Sequence, residues 1–155
     1  MVARRSAGVL VFRERSGETQ VLLGHMGGPF WAHQDDGAWS IPKGEYEDDE
    51  SAWDAARREF TEELGLPVPV GEFLELGTIR QPGGKLVTIW AVRGDLDPAT
   101  VEPGTFELEW PPRSGRFEEF PELDRVEWFS LDAARPKLVR GQPEFLARLA
   151  ERLAA

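Results

Sequence analysis

Between Ser51 and Leu64 the chain spells a helix that works against its own electrostatics. Ser51 is placed to cap it, Asp54 stands at the third position of a capping box, Gly65 is placed to end it, and Pro67 blocks continuation. Glu59 and Glu63 are four residues apart, and Glu59 and Glu62 three apart, so all three neighbour one another on one stretch of helix surface. Like charges at this spacing oppose helix formation by about 0.2–0.5 kcal/mol per pair. Their position near the helix C-terminus also sets them against the backbone dipole. Taken alone, such a cluster reads as a solvated acidic face. An arrangement that costs stability twice nevertheless calls for an offset. Arg58, four residues before Glu62, supplies part of it, and a divalent cation would supply the rest.

The kind of cation follows from the donors. The chain has no cysteine and only two histidines, His25 and His33, both read as loop residues and not as catalysts. Disulfides and thiolate zinc sites are therefore excluded. Carboxylate oxygens favour Mg²⁺, with Mn²⁺ as a substitute. Mg²⁺ is commonly held by one or two carboxylates and completed by substrate phosphates. In that setting the ion neutralises phosphate oxygens and acidifies a bound water, while a nearby glutamate takes the proton.

A net charge of −10 argues against non-specific nucleic-acid binding, which needs a basic face. A small phosphorylated substrate fits, because a bound cation inverts the local field. The longest apolar runs, Gly8–Phe12 and Leu86–Val92, are too short to span a bilayer. Met1–Arg5 is basic, but no secretory apolar region follows it, and the expected compartment is the cytoplasm. At 155 residues, one domain over 1–155 is the expectation.

Strands are expected over Arg4–Glu14, Thr19–Leu23, Trp39–Ile41, Phe73–Ile79, Lys85–Val92, Phe106–Trp110 and Arg125–Phe129. His25–Gly37 and Arg113–Glu122 read as loops. Ser130 is placed to cap a short helix from Leu131, and a last helix starts near Pro143 with Phe145, Leu149 and Leu153 on one face. The order of elements is that of a mixed α/β domain.

The segment 44–66 resembles the signature of the Nudix hydrolase family, G-x5-E-x7-R-E-U-x-E-E-x-G-U with U a bulky apolar residue. The matching positions are Gly44, Glu50, Arg58, Glu59, Phe60, Glu62, Glu63, Gly65 and Leu66. Only Phe60 is unusual, being aromatic where an aliphatic side chain is more common. The resemblance implies an α/β/α sandwich around a mixed β-sheet. It implies metal binding by Glu59, Glu62, Glu63 and the Gly44 carbonyl, with Arg58 holding the glutamates and Glu50 serving the loop or an outer metal shell. Among these, Glu62, Glu59 and Arg58 are the expected catalytic residues. It further implies one more acidic ligand ahead of a tryptophan, with Glu122 before Trp128 the first choice and Glu119 the second.

The lead-in Trp39-Ser40-Ile41-Pro42-Lys43-Gly44 looks like that of relatives acting on dinucleoside polyphosphates, RNA 5′ ends or inositol polyphosphates, with Lys43 as a phosphate contact. The stretch Phe106–Arg116 looks like part of a bacterial subgroup of NTP pyrophosphohydrolases. There Trp110 is a candidate for stacking on a base, and Arg113 and Arg116 for binding phosphate. The implied reaction is hydrolysis of a diphosphate linkage in a nucleoside triphosphate or dinucleoside polyphosphate. ADP-ribose or oxidised nucleotides are the alternative substrates, and a nucleotide sensor without turnover is the non-enzymatic alternative. A homodimer is a further expectation.

Overall fold

A computed structural model describes residues 4–155, so the first three residues of the basic opening stretch lie outside the described residues. The chain alternates from its first strand. In β1 (Arg5–Arg15), Ala7, Val9 and Val11 face one side, while Leu10 and Phe12 face the other. Both sides are buried, so the strand must lie between two layers. On the first side it meets Ala55, Ala56, Phe60 and Leu64 of α1 (Ala52–Leu64). On the second it meets Ala134 of α2 (Leu131–Lys137) and Phe145, Leu146 and Leu149 of α3 (Pro143–Ala154). The result is the α/β/α sandwich with a mixed sheet that the family resemblance implies. No helix among the described residues is long and apolar enough to cross a membrane.

The sheet is ordered by β2 (Glu18–Met26), β3 (Trp39–Ser40), β5 (Phe73–Arg80), β6 (Leu86–Arg93) and β9 (Leu123–Ser130) around β1. Its main path runs β3-β2-β1-β6-β5, with β4 (Lys43–Glu45) joined to β1 and β9 joined to β2. β1 and β6 are parallel, and the other pairs are antiparallel. One end of the sheet therefore gathers the start of β1, all of β4, the start of β6, the end of β5, the end of β2 and the start of β9. The glutamate-bearing helix abuts that end.

Two sequence readings are corrected. Arg113–Glu122 is not all loop: β8 (Phe117–Pro121) pairs with β7 (Thr105–Glu109) in a separate hairpin. The doubled Glu118-Glu119 hides the alternation, and the strand becomes visible only through its cross-strand partners, Phe120 against Phe106. His25 is a buried strand residue, not a loop residue. Its ring nitrogens face two acceptors, Asp124 Oδ1 at Nδ1 (2.7 Å) and the Gln34 carbonyl at Nε2 (2.6 Å), and this pair of contacts fixes the ring in the core. His33 is exposed in the loop, as expected.

The segment leading to Gly44 is fixed from beneath. Gln142 is fully buried, and its side-chain oxygen accepts from the Ile41 N–H (2.9 Å) while its amide donates to Ser40 Oγ (3.1 Å). The Pro42 carbonyl accepts from the Val9 N–H (3.1 Å), and a Cβ on Gly8 would collide with that carbonyl. Replacing Gln142→Leu is expected to lower the unfolding free energy by about 1–3 kcal/mol, the usual cost of orphaning a buried donor. Urea denaturation with an unchanged m-value checks it.

Candidate active site

Helix α1 starts and stops as its sequence requires. Ser51 Oγ accepts from the Asp54 N–H (3.1 Å), and Gly65 takes the left-handed conformation while its N–H donates to the Thr61 carbonyl (2.8 Å). Packing of Phe60 and Leu64 against the sheet then turns Glu59 and Glu63 toward β4. The Lys43 N–H donates to Glu63 Oε2 (3.1 Å). At Gly44 the approach is so close that a Cβ would overlap the Glu59 carboxyl group, so only glycine fits.

Arg58 braces the acids. Its Nε and Nη2 form a two-pronged pair with Glu50 (2.8 and 2.9 Å). Its Nη1 reaches Glu59 (3.0 Å) and Glu62 (3.2 Å). The planar guanidinium does this where a lysine ammonium would not. The pair with Glu50 raises the Arg58 pKa and holds the Glu50 carboxyl below its usual range. Glu50 thus anchors the brace.

The remaining carboxylates are under-neutralised. Burial pushes Glu63 up to about 8, and the charges of Glu122 and Glu59 add to the rise. Burial also raises Glu59, with Glu62 adding to it. Glu122 is raised by burial and then by Glu62. Lys43 is shifted down by burial and by the neighbouring Lys85. Glu59, Glu62, Glu63 and Glu122 therefore share one field.

Among the described residues, no three acidic or histidine side chains are gathered tightly enough to enclose an ion by themselves. The donors still suit Mg²⁺ or Mn²⁺. All are hard oxygens, one is buried and short of positive charge, and space beside Gly44 is left for a carboxylate. An ion of this kind draws its other ligands from phosphate and water.

Glu122 lies between β8 and β9, stitched in by backbone bonds. Its N–H donates to the Gly104 carbonyl (2.8 Å), the Gly104 N–H donates to the Glu62 carbonyl (3.1 Å), and the Glu122 carbonyl accepts from Gly27 (3.0 Å). Glu119, the second choice, stands exposed up the hairpin opposite Glu107. Trp110, Arg113 and Arg116 lie at the hairpin's far end, not beside the glutamates. The five register pairs of the hairpin put them roughly 17 Å from Glu122. Trp110 packs edge-to-face on Phe30 (5.5 Å between ring centres).

Sequence reading missed Lys85. It follows a Pro-Gly-Gly turn and looks like a strand start, but folding brings its ammonium within 3.7 Å of Glu45, beside Lys43. Also missed was a cavity of about 440 Å³ lined by Trp31, Gly37, Gln81, Pro82, Val139 and Arg140. The Gln81 N–H donates to the Lys85 carbonyl (2.8 Å), so the backbone of Lys85 borders the turn that lines the cavity.

The family model of the NUDIX domain matches residues 2–149. The chain belongs to the NUDIX family. Among solved structures, the fold of this NUDIX protein is similar to that of a C. elegans Ap4A hydrolase in a binary complex, at 21% identity and TM-score 0.64, covering 98% of each chain. It is also similar to the NUDIX domain of Shewanella oneidensis NrtR complexed with ADP ribose, at 16% identity and TM-score 0.65, covering 99% of this chain and 90% of that one. A third likeness is to RenU, a Nudix hydrolase from M. smegmatis, at 24% identity and TM-score 0.58, covering 99% and 88%. At these identities the likeness speaks for the fold.

The raised Glu63 pKa has a consequence for the metal-free NUDIX domain. An unfolded glutamate ionises near 4.5, whereas the folded one holds its proton to about 8. Stability is therefore expected to fall as pH rises through that window, with the loss complete above it. The Glu63→Gln variant is expected to lose this part of the slope. Melting temperatures of both proteins in chelator, at about pH 5, 7 and 9, check the difference.

Proposed function

We propose that this NUDIX protein is a Mg²⁺-dependent hydrolase, with Mn²⁺ able to substitute, that cleaves a diphosphate linkage in a nucleotide substrate. One observation carries the reading. A group of under-neutralised carboxylates (Glu59, Glu63, Glu122) adjoins two lysines, and the backbone of one of them, Lys85, is bonded to Gln81 at the edge of a cavity of about 440 Å³. Acids without cations would repel phosphate. Lysines without acids would bind it and leave it intact.

Glu59, Glu63 and the Gly44 carbonyl are the metal-binding groups, with Glu122 closing the site from the β8–β9 side. The ion, when bound, neutralises phosphate oxygens and makes water a stronger acid. Glu62 is the exposed member of the three helix glutamates and is assigned as ligand or general base. Arg58 keeps Glu59 and Glu62 at fixed separation and carries its charge at any working pH. Lys43 and Lys85 meet the phosphates as point charges. Trp31, Pro82 and Val139 wall the base, and Gln81 and Arg140 offer its edge hydrogen-bonding groups.

The substrate classes to assay are nucleoside triphosphates, dinucleoside polyphosphates and ADP-ribose. The last two correspond to what the C. elegans hydrolase and NrtR structures are named for. Turnover of at least one class is expected with Mg²⁺ or Mn²⁺ and none with chelator. Glu62→Gln is expected to cut kcat by about 10²–10⁴-fold at an unchanged melting temperature. Binding across all classes without turnover in the wild type would contradict the reading. Lys85→Ala is expected to raise KM several-fold with kcat nearly constant, and steady-state kinetics on the best substrate checks it.

A further inference from the structure

Strand β9 changes phase just after Glu122. Val126 and Trp128 pack with the core under α1, and Phe129 packs with the core on the other side of the sheet, as alternation requires. Leu123 packs on the α1 side too, although it stands three residues before Val126, an odd offset. The pairing with β2 gives the cause. His25 opposes Arg125 and Met26 opposes Leu123, so Asp124 is an extra residue and β9 carries a β-bulge there. Two glycines at the end of β2 make room for it. A Cβ at Gly24 would overlap the Leu123 side chain, and one at Gly27 would overlap the Pro121 carbonyl.

The extra residue has no ladder partner of its own, and a slip by one residue would carry Glu122 about 3.3 Å along the strand. The lock comes from a side chain. Asp124 Oδ1 meets His25 Nδ1 at 2.7 Å. The His25 ring is itself fixed, because it is buried, holds the Gln34 carbonyl at 2.6 Å through Nε2, and stands edge-on to Trp39 (5.2 Å between ring centres). The other charged neighbour of Asp124 is Arg125, at 3.9 Å and beyond hydrogen-bond reach. The imidazole therefore holds the bulge. The bulge leads directly to Glu122, whose carbonyl accepts from the N–H of Gly27, two residues after His25 (3.0 Å).

We propose that His25 and Asp124 are positioning residues for the metal: by locking the bulge they keep Glu122 beside the helix glutamates, where it can join them on one ion. This rests on the hydrolase reading for Glu122 as a ligand, and it adds two residues outside the 44–66 signature that set its place.

The test is titration of Mn²⁺ alone into the full chain and its variants, followed by the electron paramagnetic resonance signal of the free ion. Asp124→Ala removes both the bond to His25 and a negative charge. Asp124→Asn removes the charge but keeps an amide that can bond Nδ1 as donor or acceptor. Asp124→Ala is expected to weaken Mn²⁺ binding roughly tenfold, the scale of losing a ligand's orienting partner, while Asp124→Asn changes it less than about twofold. Glu122→Gln is expected to weaken binding as well, and adding Asp124→Ala to it to cost less than about twofold more, because changes acting through one group do not add. Equal losses in Asp124→Ala and Asp124→Asn, no loss in Asp124→Ala or Glu122→Gln, or a full further loss in the double variant would overturn the positioning role. Thermal melts in chelator check that each variant is folded. Should Asp124→Ala unfold, Asp124→Ser, whose side chain is too short to reach the ring, takes its place. A wild type that binds Mn²⁺ yet turns over no substrate class strikes the hydrolase reading alone, whereas one indifferent to Mn²⁺ overturns both.

Discussion

The hydrogen bond from the Lys43 N–H to the Glu63 carboxylate, with a longer one from Arg58 to the Glu45 carbonyl beside it, ties the acidic helix to the neighbouring strand, and the geometry of the site follows from that tie. Glu63 is 7% exposed, so its carboxyl group has little water to stabilise its charge. Holding it there sets Glu59 against Gly44, leaves Glu62 on the open side, and brings the helix end within backbone reach of Gly104 and thus of Glu122. The acids are close because the backbone is pinned, and they stay unbalanced because Arg58 reaches Glu59 and Glu62 but not Glu63 or Glu122.

Arg58 shows how the fold tolerates this. Glu50 occupies one edge of the guanidinium completely, so the arginine cannot swing away to neutralise Glu59 and Glu62 more fully. Removing Glu50 would free the arginine to follow the other acids. The cost of burying Glu59 and Glu63 is met by hydrophobic packing of Phe60 and Leu64 on the sheet, not by local charge pairing. Stability and function thus occupy alternate faces of one helix.

Much of this was legible in the sequence, and the failures have common causes. The helix, its caps and its glutamates were readable because periodicity and capping are local properties. Glu122 was readable only as a position before Trp128, yet its field does overlap that of the helix glutamates. Strand β8 was missed because its acidic face and short length gave no alternation, and only pairing with β7 makes it a strand. His25 looked like a loop residue because its partners, Asp124 and the Gln34 carbonyl, come from ninety-nine and nine residues away. Lys85 and the cavity beside it are products of tertiary assembly: no spacing in the sequence links Gln81 to Val139 or Lys85 to Lys43. Trp110, Arg113 and Arg116 stand out in the sequence, but their distance from the glutamates is set by the pairing of the hairpin.

The proposed hydrolysis requires a divalent ion to complete the charge balance of Glu59, Glu63 and their neighbours. Titration of Mn²⁺ into the protein, followed by the electron paramagnetic resonance signal of the free ion with β,γ-methylene ATP present, tests this most directly. The signal is expected to be quenched in proportion to protein and restored by excess Mg²⁺, with quenching weakened in a Glu59→Gln/Glu63→Gln variant. A Mn²⁺ signal indifferent to the wild-type protein, or quenched equally by that variant, would contradict it.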